Sequence, residues 1–187
     1  MAARIEPLLT VEDLDACPDD GNRYELIGGE LFVSRAPAIP HQRVLHNFQL
    51  EFGLYLRGNP IGIIVPGAGA VFSDYDAVIP DLAFILNERW DEVTSAVRIT
   101  GAPDILIEIL SPGAENHRRD LSVKRQLYAK YGVREYWVID PEDCSVAIYR
   151  RLGQSLEKIV TLIDDDEITS PVLPGFQLAV SAVFNLR

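Results

Sequence analysis

Asp81, Glu108 and Lys124 are the residues whose types and settings would do chemistry together. Each sits in or beside a run of apolar residues that a soluble protein keeps for its core. An ionised carboxylate in such a place is costly unless a cation, a metal or several donors meet it. Two carboxylates and an amine on neighbouring core elements are also what a hard divalent cation and a water nucleophile require. The carboxylates supply oxygen ligands for Mg²⁺, and water and phosphate fill the remaining positions.

The elements that must position these groups are legible around them. Ala102-Pro103-Asp104-Ile105-Leu106-Ile107-Glu108-Ile109-Leu110 reads as one strand buried on both faces. Side chains alternate along it, so Ile105, Ile107 and Ile109 share one face, and Leu106, Glu108 and Leu110 share the other. Residues 120–131 read as a helix stopped at Gly132. At about 100° per residue, Leu121, Val123, Leu127, Tyr128 and Tyr131 form its apolar stripe. Asp120 and Lys124 fall inside that stripe, one turn apart and facing the sheet. An ordinary intrahelical Asp–Lys pair would be worth only about 0.2–0.5 kcal/mol if exposed and would not explain the inward placement. A buried ammonium meeting Glu108 does explain it. Pro80-Asp81 opens the preceding strand, where an aspartate taken alone is turn chemistry.

The remaining chain is expected to fold around this centre as a single domain over residues 1–187. It divides into an N-terminal helix and loop (1–22), a core of about 23–175 and a C-terminal tail (176–187). Thr10-Val11-Glu12-Asp13 has the form of a capping box. Arg23-Tyr24-Glu25-Leu26-Ile27 and Glu30-Leu31-Phe32-Val33 flank Gly28-Gly29 as a tight hairpin. Residues 41–56 repeat apolar side chains at helical spacing. Strands are expected over 61–65, 71–72, 79–86 and 135–139, and an antiparallel pair over 145–150 and 156–163. A polar loop is expected from 113 to 119. Strand, helix 120–131 and strand 135–139 make a parallel β-α-β unit.

Composition bounds the function. The net charge of −11 opposes a broadly basic nucleic-acid surface, although Arg118, Arg119, Lys124, Arg125, Lys130 and Arg134 form a local basic cluster. Arg125 and Lys130 are expected simply to solvate their helix. No stretch approaches bilayer-spanning length, and Cys17 and Cys144 make neither metal spacing nor a disulfide framework. A cytoplasmic protein with no membrane partner is the expectation.

With these residues in view the chain resembles the Uma-two family of restriction-endonuclease-like proteins. The resemblance rests on Asp81, Glu108 and Lys124, on Arg23-Tyr24-Glu25-Leu26 and Gly29-Glu30-Leu31, and on His41-Gln42-Arg43-Val44. It continues through Ala102-Pro103-Asp104, Leu110-Ser111-Pro112, Arg119-Asp120-Leu121 and the run from Gly132 to Pro141. The matched motifs extend from about Tyr24 to Pro174-Gly175. The family in turn resembles the PD-(D/E)xK nucleases, which implies an α/β (α+β) fold with a mixed central sheet flanked by helices. On that pattern Pro80-Asp81 is the first motif and Glu108-Ile109-Leu110 the second. Leu110 stands where the general pattern has lysine, and Lys124 takes the lysine role from the following helix.

The resemblance implies metal-dependent hydrolysis of DNA phosphodiester bonds and a homodimer that cuts both strands. Asp81, Glu108 and the carbonyl of Ile109 would hold Mg²⁺ or Mn²⁺, and Lys124 would orient water or stabilise the transition state. Asp120 would orient Lys124. Glu25 or Glu30 would add a metal contact, although exposed hairpin glutamates are the commoner case. His41 either faces the cleft or merely starts its helix. Tyr128 is expected in the core with its hydroxyl bonded, and Asp104 and Asp140 as turn residues. The alternative is a catalytically inactive nuclease-fold module that binds nucleic acid or a protein partner.

Overall fold

The computed structural model describes residues 8–185. In chain order it forms α1 (Val11–Asp15), β1 (Arg23–Ile27), β2 (Glu30–Ser34), α2 (Ile39–Gly58), β3 (Gly62–Pro66), β4 (Ala70–Ser73), β5 (Asp76–Val78) and β6 (Leu82–Leu86). Then come α3 (Trp90–Val93), β7 (Ile105–Ile109), α4 (Ala114–Arg118), a π-helical segment (Arg119–Lys124) and α5 (Arg125–Tyr131). The chain continues as β8 (Glu135–Asp140), β9 (Ser145–Leu152), β10 (Ser155–Ile163), β11 (Glu167–Ser170), β12 (Leu173–Ala179) and α6 (Val180–Phe184).

The main sheet has six strands in the order β10-β9-β8-β7-β6-β3. Strand β7 lies inside it, antiparallel to β6 and parallel to β8, so the sheet is mixed as expected. The parallel step is bridged by the helical stretch 114–131. The alternation along β7 holds. Ile105, Ile107 and Ile109 join Phe48, Phe52, Phe84 and Trp137 on the α2 side. Leu106 and Leu110 join Leu127, Tyr128, Tyr136 and Val138 beneath α5. Every residue of β7 is buried because both faces are covered.

A second sheet, ordered β2-β1-β5-β4, holds the hairpin. Its turn runs through Gly28 (φ 61°) and Gly29 (φ 79°), a left-handed pair that side chains disfavour. The expected strand 79–86 begins only at Leu82, and a separate short strand precedes it. Asp76–Val78 pairs with β1 and β4 in the small sheet, and pairing in the large sheet starts only at Leu82. Ile79-Pro80-Asp81 is therefore the step between the two sheets, which proline suits because it has no N–H to give a ladder.

Three further expectations are corrected. The polar loop from 113 to 119 is helical from Ala114, and the helix continues through wider π turns to α5. The C-terminal tail is not a tail over its described part: Phe176, Leu178, Val180 and Val183 are buried in the α2-side core, on β12 and α6. Apolar alternation in so short a segment gave too little signal to separate a closing hairpin from a loose end. Asp104 is no simple turn residue either, being fully buried and paired with Arg89 at 2.9 Å and Arg134 at 3.1 Å. Asp140 does cap a turn, accepting the N–H of Glu142 and Asp143.

Asp76 ties the small sheet to α5, a junction that sequence patterning missed. Its carboxylate accepts the Gly28 N–H (2.7 Å), the Tyr131 hydroxyl (2.6 Å), the Ser73 hydroxyl (3.1 Å) and Lys130 Nζ (2.9 Å). Lys130 thus does more than solvate its helix. Burial pushes the Asp76 carboxyl up, but the Tyr131 hydroxyl, the Gly28 N–H and Lys130 outweigh it and hold it below its ordinary value. A depressed folded-state pKa gives stability that is present above the unfolded-state value, about 3.9, and is lost as pH falls through the folded value. Asp76→Ala is therefore expected to cost about 1.5–3 kcal/mol in urea unfolding at pH 7. The difference from the parent chain should shrink as pH falls below about 3.9. An equal cost at both pH values would refute this role.

Candidate active site

Asp81, Glu108, Lys124, Glu25, Asp120 and His41 all line one cavity of about 340 Å³. Both sheets contribute to its lining, with Arg23 and Glu25 from β1 and Glu108 and Ile109 from β7. Asp81 stands at the step between them, just before β6. Its Oδ2 accepts the Ile109 N–H at 2.9 Å, reaching across to β7 beyond the last ladder pair, Leu82 with Ile107. The same oxygen meets His41 Nε2 at 3.1 Å, and Oδ1 meets Arg23 NH1 at 3.2 Å. His41, at the start of α2, therefore faces the site. Its Nδ1 is buried and has no hydrogen-bond partner among the described residues.

Glu108 projects from β7 on the helix side. Its Oε1 accepts Lys124 Nζ at 2.9 Å and the Tyr128 hydroxyl at 2.6 Å. Lys124 also meets Glu25 Oε1 at 2.9 Å and lies 3.9 Å from Asp120 Oδ1. Glu25 additionally accepts the Ile79 N–H at 2.8 Å, so β1 pins the inter-sheet step. The exposure expected of hairpin glutamates holds for Glu30 and fails for Glu25, which is 3% exposed. Alternation does not separate them, because Glu25 pairs with Phe32 and Ile27 with Glu30, which puts both glutamates on one face. Position in the sheet does: β1 lies inside it, whereas Glu30, on the edge strand β2, is exposed and lies outside this cavity, lining the neighbouring one.

Lys124 is held in place by the π-helical segment. Wider turns of this kind recur in helices where a side chain must be re-aimed at a functional site. Here the segment carries both Asp120 and Lys124, each about 2% exposed. Arg119 Nε pairs with Asp120 Oδ1 at 3.1 Å, and Tyr136 donates its hydroxyl to the Asp120 carbonyl. Arg23 and Arg119 are the site groups that reading for inward-facing residues did not single out. Arginines tolerate partial exposure, so periodicity gives them no mark.

The electrostatics follow from burial. Desolvation pushes the Glu108 carboxyl up to about 8, against the lowering pull of Lys124 and with further upward pressure from Asp81, Asp120 and Glu25. Burial acts to lower Lys124, but Glu108, Glu25 and Asp120 outweigh it and hold the amine above its ordinary value. Burial would raise Asp81 too. The His41 contact, the Ile109 N–H and the Lys124 charge keep it below its ordinary value instead. The site is a desolvated cluster in which carboxylates outnumber the inner cation.

Three carboxylates around one buried amine, with an aspartate beside them at the junction of two sheets, invite comparison with known proteins. A family model, Uma2, described as “Putative restriction endonuclease”, matches residues 11–181. The chain belongs to the Uma2 family. Its fold is similar to that of a protein from Anabaena variabilis ATCC 29413 described as “a putative nuclease belonging to DUF820”. That pair has a TM-score of 0.74 and 20% identity over 94% of this chain and 97% of that chain. No curated protein matches the sequence.

In this Uma2 chain, Leu110 packs in the apolar cluster beneath α5 and is 4% exposed. The amine reaches Glu108 across the helix–sheet interface, not along the strand. Among the described residues no three His, Cys, Asp or Glu side chains stand together in metal-binding geometry. The donor set still fits a small hard cation, because Mg²⁺ is commonly held by one or two carboxylates, with waters and substrate phosphate completing the shell. Glu108 offers the second oxygen: no hydrogen bond among the described residues uses Oε2. Among the described residues, no helix is long and apolar enough to cross a membrane.

Proposed function

We propose that this Uma2 protein is a divalent-metal-dependent endonuclease that hydrolyses DNA phosphodiester bonds. The observation that carries the reading is the convergence of Asp81, Glu108 and Lys124 on one cavity, with Lys124 Nζ 2.9 Å from Glu108. Membership of a family described as “Putative restriction endonuclease” supports it. Asp81 and Glu108, with the carbonyl of Ile109, would hold Mg²⁺ or Mn²⁺, which would polarise a phosphoryl oxygen and lower the pKa of water.

The chain's own groups do the rest. Lys124, fixed by Glu25 and Glu108, places a permanent positive charge beside the attacked phosphorus and orients the incoming water. A preset charge of this kind needs no reorganisation when the transition state forms. Arg23 and Arg119, at the cavity wall, neutralise the phosphate as it enters. Glu25 and Asp120 act through Lys124 by fixing its direction.

The inactive-module reading draws on one observation: Arg23, His41 and the Ile109 N–H already engage both oxygens of Asp81. Metal titration separates the two. Millimolar Mn²⁺ is expected to raise the melting temperature by a few degrees, as roughly 1–1.5 kcal/mol of binding linkage would do in a chain of this length. Asp81→Asn should remove that gain. A transition indifferent to metal, together with no cutting of either single-stranded or duplex DNA, would favour the inactive module.

A further inference from the structure

The groups assigned to the reaction lie too deep for the face of a rigid duplex. Asp81 and Glu108 are each 3% exposed and Lys124 is 2% exposed. A phosphodiester must therefore leave its surroundings and enter the cavity to reach them. Its walls are the strap 33–38, which joins β2 to α2, and the helical stretch that contributes Asn116 and Arg119. Duplex DNA bends on the scale of about 150 base pairs and does not offer one phosphate to a recess of this kind cheaply.

A second cavity, of about 460 Å³, adjoins the first, and both are lined by Val33, Asn116 and Arg119. It follows the exposed edge strand β2 and is lined by half-buried Phe32, with Arg118 on the facing helix and Glu30 at the rim. A groove with arginines along it and an aromatic side chain in its wall is the pattern that receives a single strand. Cations track the backbone there, and bases stack on the ring. Net charge weighs the same way. At −11 the protein repels a duplex, with one charge per ~1.7 Å of axis, more than a strand with one per ~3.4 Å.

From this geometry we infer that the substrate is single-stranded DNA, lying along β2 against Phe32 with one phosphate drawn past Arg119 into the cavity. This deepens the nuclease reading and rests on it. The test compares a covalently closed single-stranded circle with a relaxed, covalently closed duplex circle, at equal phosphate concentration with Mn²⁺. The single-stranded circle should be cut at least about tenfold faster, and a duplex circle carrying an unpaired bubble should be cut within the bubble. Equal or faster cutting of the fully paired circle overturns the inference.

If neither circle is cut, the nuclease reading fails and a binding measurement decides this one. Fluorescence anisotropy with a labelled oligothymidine and a duplex of equal length, in EDTA, should favour the single strand by about tenfold. Phe32→Ala should weaken oligothymidine binding about tenfold, within the range for one stacked base. Arg118→Ala should lower the slope of log affinity against log salt by about one. Duplex binding as tight as single-strand binding, or indifference to both substitutions, overturns the inference.

Discussion

Replacing Glu108 with glutamine is expected to lower Mn²⁺-dependent DNA cleavage by about 10²–10³-fold, the usual cost of one preset electrostatic group at a reacting centre. The amide keeps the shape of the side chain. Its carbonyl oxygen can still accept the Tyr128 hydroxyl, which donates to Glu108 at 2.6 Å. The substitution removes the negative charge that would hold a cation. Stability should change far less than activity, because Lys124 keeps Glu25 at 2.9 Å and Asp120 at 3.9 Å, so its buried charge stays paired. Single-turnover cleavage and urea unfolding on the same preparation give both quantities. A variant that folds normally and cuts at the parent rate would remove Glu108 from the reaction.

Lys124→Ala should behave in the opposite way, costing both activity and about 3–5 kcal/mol of stability. The amine is buried against Glu108 and Glu25 at 2.9 Å each, with Asp120 at 3.9 Å. Its removal leaves carboxylates in the core with no inner cation. The double substitution Lys124→Met with Glu108→Gln should recover part of the lost stability, since it deletes one of the stranded charges and refills the volume with a flexible apolar chain. Activity should not return. A double-variant cycle by denaturant unfolding measures the coupling. If the two effects add with no coupling, the ion pair does not carry the energy assigned to it.

Both expectations depend on features that were partly visible in one dimension. The strand pattern around Glu108 and the helical stripe around Lys124 each placed a charge where an apolar side chain belonged, so their meeting could be anticipated from periodicity alone. Asp81 was weaker, because an aspartate after proline at the start of a strand reads as turn chemistry. Its partners come from three distant places: Arg23 on β1, His41 on α2 and the N–H of Ile109 on β7. Glu25 and Glu30 looked equivalent by composition. Only the pairing of β1 inside the small sheet, with β2 left at the edge, buries one and exposes the other.

The sequence by itself determined which side chains of the central strand and the crossover helix face inward, because side-chain alternation and helical repeat are local properties of the backbone. It therefore identified the core strand, the crossover helix and the inward glutamate and lysine. Tertiary structure alone decided how the two sheets meet at Ile79-Pro80-Asp81, how the π-helical segment aims Lys124, and that residues 176–184 close the core. It also set the depth of the site. Depth depends on what the strap 33–38 and the helix wall cover, and that is a sum over segments far apart in the chain. Local pattern carries no information about such sums.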